Sequence, residues 1–163
     1  MCKDFEKVMK SKFGMSAMGE LNFFLGLQVE QKKDGLFIHQ TKYVHDFLEK
    51  FKMESSSTFS TLIPVNHSFG PDTDSDQDVD PTQYRAIIGS LMYLTASRPD
   101  IMFAVCICAR YQVNLKESHM KAAKRILRYL KGKLKLGLSY PSNGDLEFVA
   151  YTDSDYGGCR LVS

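Results

Sequence analysis

The chain has no tryptophan, only five prolines and only four cysteines among its 163 residues. Cys2, Cys106, Cys108 and Cys159 show no C-x-x-C spacing. A chain of this length hides about 70% of its unfolded surface on folding, so no disulfide framework is needed. Reduced thiols and an intracellular setting, cytoplasmic or nuclear, follow as the default. No run approaches the roughly 18 apolar residues of a membrane span, and residues 1–12 alternate charged with apolar side chains without the apolar core of a signal peptide. Secretion and membrane insertion are therefore unsupported. Also missing are a Walker loop, G-x-G-x-x-G and G-x-S-x-G, so nucleotide-phosphate transfer by those routes and serine hydrolysis lack support. His39, His45, His67 and His119 stand outside any H-E-x-x-H or paired-cysteine context, which argues against zinc. Cys106 and Cys108, about 200° apart on a helix, cannot share a small ion.

What the chain does contain fits an ordinary globular unit, with 44% hydrophobic and 25% charged residues. Phe5, Val8, Met9 and Phe13 recur at helical spacing, predicting a short amphipathic helix over 5–13 that stops at Gly14. Residues 21–30 partly alternate and are rich in aromatic and branched side chains, and 36–39 repeat that character after Lys33-Asp34-Gly35. The Asp-Gly pair between these runs predicts a β-hairpin from about residue 23 to 39, with Gly35 supplying the positive φ of a primed turn. Gly26, inside the first strand, leaves a gap that another backbone or a ligand can approach. Over 41–52, Tyr43, Val44, Phe47, Leu48 and Phe51 make one stripe of a helix, with Thr41 as its N-cap.

Residues 55–80 lack periodicity and contain Pro64, Pro71 and the aspartates 72, 74, 76, 78 and 80, so a solvated linker is expected. A calcium loop starting at Asp72 would want Gly and Glu where Gln77 and Gln83 stand, which argues against that metal. A helical block opens at Pro81 behind Asp80, with Tyr84, Ile87, Ile88, Leu91 and Leu94 on one face. Arg98-Pro99-Asp100 breaks it. Residues 101–109 are apolar nearly all round, predicting a buried helix. The next helix, 118–131, turns His119, Ala122, Ala123, Ile126, Leu127 and Leu130 to one side and ends at Gly132. Two short strands, 138–140 and 146–153, flank a Pro-Ser-Asn-Gly-Asp turn.

Two features bear on chemistry. The net charge of +2 is too small to imply a nucleic-acid partner, but Lys116, Lys121, Lys124, Arg125, Arg128, Lys131, Lys133 and Lys135 stand against Glu117 alone. A helix of 14 residues is about 21 Å long, comparable to about six base-pair steps. One face can therefore neutralise several phosphates, while the plainer reading is a solvated helix face. The absence of aspartate or glutamate partners at i+4 favours phosphate. The second feature is Tyr151-Thr152-Asp153-Ser154-Asp155-Tyr156-Gly157-Gly158. Asp153 and Asp155, two apart on a strand, face one side and suit hard divalent ions; as a bare pattern, Asp-x-Asp before Gly-Gly also reads as a turn.

The order of short motifs is more telling than any one of them. Phe13-Gly14-Met15, Met18-Gly19-Glu20-Leu21, Phe24-Leu25-Gly26-Leu27, Gln40-x-x-Tyr43-Val44, Ile63-Pro64, Tyr84-Arg85, Ile88-Gly89-Ser90-Leu91-Met92-Tyr93-Leu94, Ser97-Arg98-Pro99-Asp100-Ile101, His119 with Ala122 to Gly132, and Tyr151 to Gly158 together resemble the Pol polyprotein of copia-type LTR retrotransposons over nearly the whole chain. The resemblance implies an α+β fold: a β-hairpin, a mainly helical thumb and connection region, and the opening strands of an incomplete RNase H-like domain. It implies an end of the reverse transcriptase palm with a thumb helix over 1–64, an acidic flexible linker over 65–80, a helical connection over 81–136 and the RNase H-like start over 137–163. Phe24, Leu25 and Gly26 resemble the primer grip that holds the primer strand. Lys121, Lys124, Arg125, Arg128 and Lys131 are expected to track a duplex backbone, and Asp153 is similar to the first magnesium-binding aspartate of RNase H. The Tyr-x-Asp-Asp polymerase motif and the remaining RNase H acids are not in the sequence. The expectation is therefore a catalytically inactive internal fragment that binds RNA-DNA hybrid or DNA duplex, alongside other Pol segments, with no tightly held Mg2+ of its own. Two alternatives accompany it: RNase H activity on complementation by a C-terminal partner, and a non-catalytic remnant or co-opted interaction protein. An apolar strand at 146–151 without its later neighbours is expected to self-associate.

Overall fold

The computed structural model describes residues 2–17, 19–63, 79–113, 115–143 and 149. Among these the fold is α+β, with five α-helices and one four-stranded antiparallel sheet. The first helix, α1 (Cys2–Lys12), forms where the periodicity predicts. Its apolar face stays open, however, with Phe5, Val8 and Phe13 all exposed.

The sheet runs in the order β1 (Phe23–Phe24), β2 (Leu27–Lys32), β3 (Gly35–His39), β4 (Gly137–Pro141). The hairpin forms, but its primed geometry lies elsewhere than the Asp-Gly pair. Lys33 and Asp34 link β2 to β3 without positive φ, and Gly35 is already the first residue of β3, paired with Lys32. Gly35 does take the expected positive φ, at 151°, and a Cβ there would lie 2.1 Å from the Tyr140 carbonyl oxygen of β4. Positive φ at two successive turn positions occurs instead at Leu25 (50°) and Gly26 (80°), which join the paired residues Phe24 and Leu27. That is the φ signature of a type I′ turn. The expected single strand over 21–30 is thus two strands and a tight turn. Residues 137–141, expected at the opening of a further unit, pair with β3 along its length, Gly137 opposite His39 and Pro141 opposite Gly35.

Thr41 is the first residue of α2 (Thr41–Lys50) rather than its cap; Gln40 takes the cap position without a side-chain bond. The Thr41 hydroxyl is turned to His39 Nδ1 at 2.7 Å, and the Thr41 N–H donates to the same nitrogen at 3.3 Å. With Nδ1 accepting, His39 Nε2 carries the proton and donates to Glu30 across the sheet at 3.1 Å. The stripe of α2 is as expected, with Val44, Phe47 and Leu48 buried. In α3 (Pro81–Leu94) the whole predicted face, Tyr84, Ile87, Ile88, Leu91 and Leu94, is buried. Asp80 caps it by accepting from the Thr82 N–H at 2.9 Å. A 3-10 turn (Pro99–Ile101) leads into α4 (Met102–Ala109). This helix is apolar all round yet buries only Ala104, Val105 and Cys108; Met102 and Phe103 are exposed, so uniform hydrophobicity overstated its burial. Finally, α5 (Glu117–Gly132) lays His119, Met120, Ala123, Ile126, Leu127, Tyr129 and Leu130 into the core. Helices α2 to α5 build one apolar core, in which burial of each large aliphatic side chain contributes about 1.5–3 kcal/mol.

At the junction of these helices Arg98, 1% exposed, makes a two-pronged bond to Asp100, Nε and Nη2 each at 2.8 Å. Its Nη1 donates to the Lys133 carbonyl at 2.9 Å, and the Tyr129 hydroxyl donates to Asp100 at 2.9 Å. The guanidinium thereby closes the C-terminal end of α5. Burial works to raise the Asp100 carboxyl, but the hydrogen bonds and charge of Arg98 and the hydrogen bond of Tyr129 outweigh it, so the group is held below the ordinary carboxylate range. The expected strand over 146–153 falls outside the described residues apart from 149.

Replacing Arg98 with Met should destabilise the fold by about 3–5 kcal/mol, because Asp100 is left without its ion partner. Arg98→Lys should recover little, since an ammonium cannot make the fork; urea midpoints of the variants test both. Because the Asp100 carboxyl is depressed on folding, its contribution is complete above the unfolded carboxylate value and is lost as pH falls through the folded one. Asp100→Asn should therefore lower Tm at pH 7 and flatten its decline below about pH 4. A decline as steep as in the parent would contradict this.

Candidate functional site

The two regions singled out in the sequence sit on different elements. The first is the Leu25-Gly26 turn. Phe23, Phe24 and Leu25 are all exposed, Leu25 most of all at 78%. Gly26 is not an empty gap: the Tyr93 hydroxyl of α3 fills it and donates to the Leu25 carbonyl at 2.7 Å. A Cβ at Gly26 would lie 1.9 Å from that hydroxyl oxygen. The Tyr93 ring is set edge-on to Tyr43 of α2, centroids 4.8 Å apart, and the Tyr43 hydroxyl donates to the Ser90 carbonyl at 3.2 Å. An apolar turn is thus presented outward and fixed from behind by two tyrosines.

The second region is the cationic face of α5, and its cations are mostly engaged. Arg125 donates from Nε to the Thr61 carbonyl at 3.1 Å and from Nη2 to the Thr61 hydroxyl at 2.7 Å. Arg128 repeats the pattern on Ser57, with Nε on its carbonyl at 2.8 Å and Nη2 on its hydroxyl. Between them lies the Phe59 ring, its centroid 4.1 Å from the Arg125 guanidinium and 4.0 Å from that of Arg128. Lys131 reaches the carbonyls of Glu54 and Ser56, the latter at 2.6 Å. Residues 54–61 therefore form a strap across α5 where a solvated linker was expected from residue 55. Leu62 and Ile63 continue from it into contact with the core.

The remaining cations differ. Lys121 pairs with Glu117 one turn earlier, at 3.0 Å, which corrects the expectation that the face lacks acidic partners at that spacing. Lys135 binds Glu30 of β2 at 3.3 Å, and this hydrogen bond is the main reason the Glu30 carboxyl lies below its ordinary value. Lys133 lies over the Tyr129 ring. Lys124 is exposed and has no partner among the described residues.

Asp153 and Asp155, with the magnesium that the former implies, lie outside the described residues, as do the aspartates 72–78. Among the described residues no three His, Cys, Asp or Glu side chains gather as a metal site, and no helix is long and apolar enough to cross a membrane. Sequence reasoning missed the strap. Its signal was a lone aromatic, Phe59, in a run of serines and threonines ahead of Leu62-Ile63.

Residues 1–66 match the family described as reverse transcriptase (RNA-dependent DNA polymerase). The chain is 36% identical over 151 residues to an uncharacterized mitochondrial protein of Arabidopsis thaliana, covering 93% of this chain and 62% of that protein. It is 33% identical over 150 residues to the retrovirus-related Pol polyprotein from transposon RE1 of the same plant, covering 92% of this chain and 10% of the polyprotein. It is 30% identical over 158 residues to the retrovirus-related Pol polyprotein from transposon TNT 1-94 of Nicotiana tabacum, covering 92% of this chain and 12% of that one. The chain thus spans under two thirds of the first relative and about a tenth of each polyprotein. No solved structure matches.

Gly26→Ala should push Tyr93 out and strain the turn, destabilising by about 1–3 kcal/mol. Tyr93→Phe should cost about 0.5–1 kcal/mol. Faster amide exchange at Leu27 in both variants is the expected sign that the turn has loosened; unchanged exchange would show that Tyr93 does not hold it.

Proposed function

We propose that this chain, which belongs to the copia-type retrotransposon Pol polyproteins and carries reverse transcriptase sequence over residues 1–66, serves to hold a template-primer duplex. The supporting observation is the Leu25-Gly26 turn: exposed apolar side chains on a tight turn, fixed from behind by Tyr93. Phe24 and Leu25 carry no charge, so their contact is with sugar and base surfaces at the primer strand, with little dependence on sequence. Phosphate contacts on α5 fall to Lys124, and to Lys121 as it exchanges its exposed pair with Glu117 for a phosphate, because Arg125, Arg128 and Lys131 are bound to the strap. Binding rather than chemistry is assigned to the described residues.

The engagement of those three cations by the chain itself also favours a second reading, in which α5 is a structural helix and the protein is a remnant or co-opted interaction protein. A labelled RNA-DNA hybrid titrated across a salt series separates the two. Two phosphate contacts give a slope of log K against log salt of about −1.8, whereas all five α5 cations would give about −4.5. Phe24→Ser with Leu25→Ser should weaken binding at least tenfold without changing the slope. Lys121→Ala with Lys124→Ala should flatten the slope instead. No binding at about 50 mM salt, or binding indifferent to the turn, favours the structural reading.

A further inference from the structure

The contact between the strap and α5 has a regularity that packing alone does not require. Two arginines one turn apart on the helix each grip one strap residue in the same way, Nε on a main-chain carbonyl and Nη2 on a side-chain hydroxyl. The gripped residues, Ser57 and Thr61, are themselves exposed to solvent. Lys131 adds a third cation at the strap's beginning. Among the described residues none of these three cations has a carboxylate within ion-pair distance. Three positive charges therefore converge on neutral oxygens, two of which are hydroxyls that accept a phosphoryl group.

We propose that Ser57 and Thr61 are phosphorylation sites and that Arg125 and Arg128 form a ready-made receptor for the phosphorylated side chains. A serine/threonine kinase supplies the reaction. The γ-phosphoryl group of a nucleoside triphosphate passes to Ser57 Oγ or Thr61 Oγ1; the bond from γ-phosphorus to the bridging oxygen breaks as the new P–O bond forms. The hydroxyl proton goes to the kinase's base and the nucleoside diphosphate leaves. The product carries close to two negative charges and three acceptor oxygens beside a guanidinium fork, the pairing in which arginine is strongest. Phosphorylation then tightens the strap and neutralises the face of α5 beneath it. The reading stands apart from duplex binding, since it concerns only contacts within the chain.

The test uses the full chain with phosphoserine installed at position 57, compared with the same residue installed at Ser55, an exposed strap position without an arginine partner among the described residues. Phosphoserine at 57 should raise Tm by about 3 °C or more, and the one at 55 should not. Followed by 31P NMR, the second ionisation of the phosphate at 57 should fall below its free value of about 6, because neighbouring cations favour the dianion. Arg128→Gln should abolish both effects. A phosphate at 57 that titrates like the one at 55, or that lowers Tm, overturns the proposal. The titration reads out in the unmutated chain, so the proposal remains testable even where Arg128→Gln fails to fold.

Discussion

The buried guanidinium of Arg98 is the constraint around which the described fold is arranged. A charge removed from water is tolerated only when its hydrogen-bonding groups find partners in good geometry. Here those partners come from two places in the chain, Asp100 just after α3 and the Lys133 carbonyl just after α5. Tyr129 then completes the carboxylate. Satisfying one side chain therefore fixes where α5 ends relative to α3 and α4. It also fixes where the chain emerges to form β4, four residues beyond Lys133.

The same physics, with a different outcome, governs the outer face of α5. Counted along the sequence, its cations form a strongly positive helix. In the fold, most of them are directed at oxygen atoms of the chain itself, through the planar forks that make arginine suited to such contacts. Formal charge is unchanged, but access to it is not. A ligand anion would have to displace carbonyls, hydroxyls and an aromatic ring from Arg125 and Arg128, whereas Lys124 offers its ammonium directly. Counting charges measures the field a helix generates; only the packing shows which charges remain free to make short-range contacts.

Much of the fold was legible in the sequence because it follows local periodicity. The stripes of α2, α3 and α5 are buried as spaced, Asp80 and Pro81 start α3 as their chemistry suggests, and β2 and β3 pair as a hairpin. Features that depend on distant partners were not. The turn at Leu25-Gly26 was hidden because leucine seldom adopts positive φ, and the Asp-Gly pair gave a stronger local signal. Phe59 stands out as a lone aromatic among serines and threonines, but the two guanidinium groups that give it a role lie far along the chain. Thr41 was a reasonable cap until His39 claimed its hydroxyl. The apolar surface of Phe103 shows the opposite failure, a hydrophobic residue left exposed among the described residues. Phe24, Leu25 and Gly26 could be picked out as a word, but not as a turn backed by Tyr93.

The pairing of β4 with β3 brings a consequence in time. During synthesis at about 5–20 residues per second, the roughly one hundred residues between these strands take on the order of 5 to 20 s to emerge. The hairpin of β2 and β3 can close in microseconds, so one side of β3 waits through that interval with its hydrogen-bonding groups open. Nascent chains on neighbouring positions of one messenger would present the same open ladder to each other. Aggregation is then a hazard of the unfinished chain as well, and anything that slows translation after residue 39 lengthens the exposure.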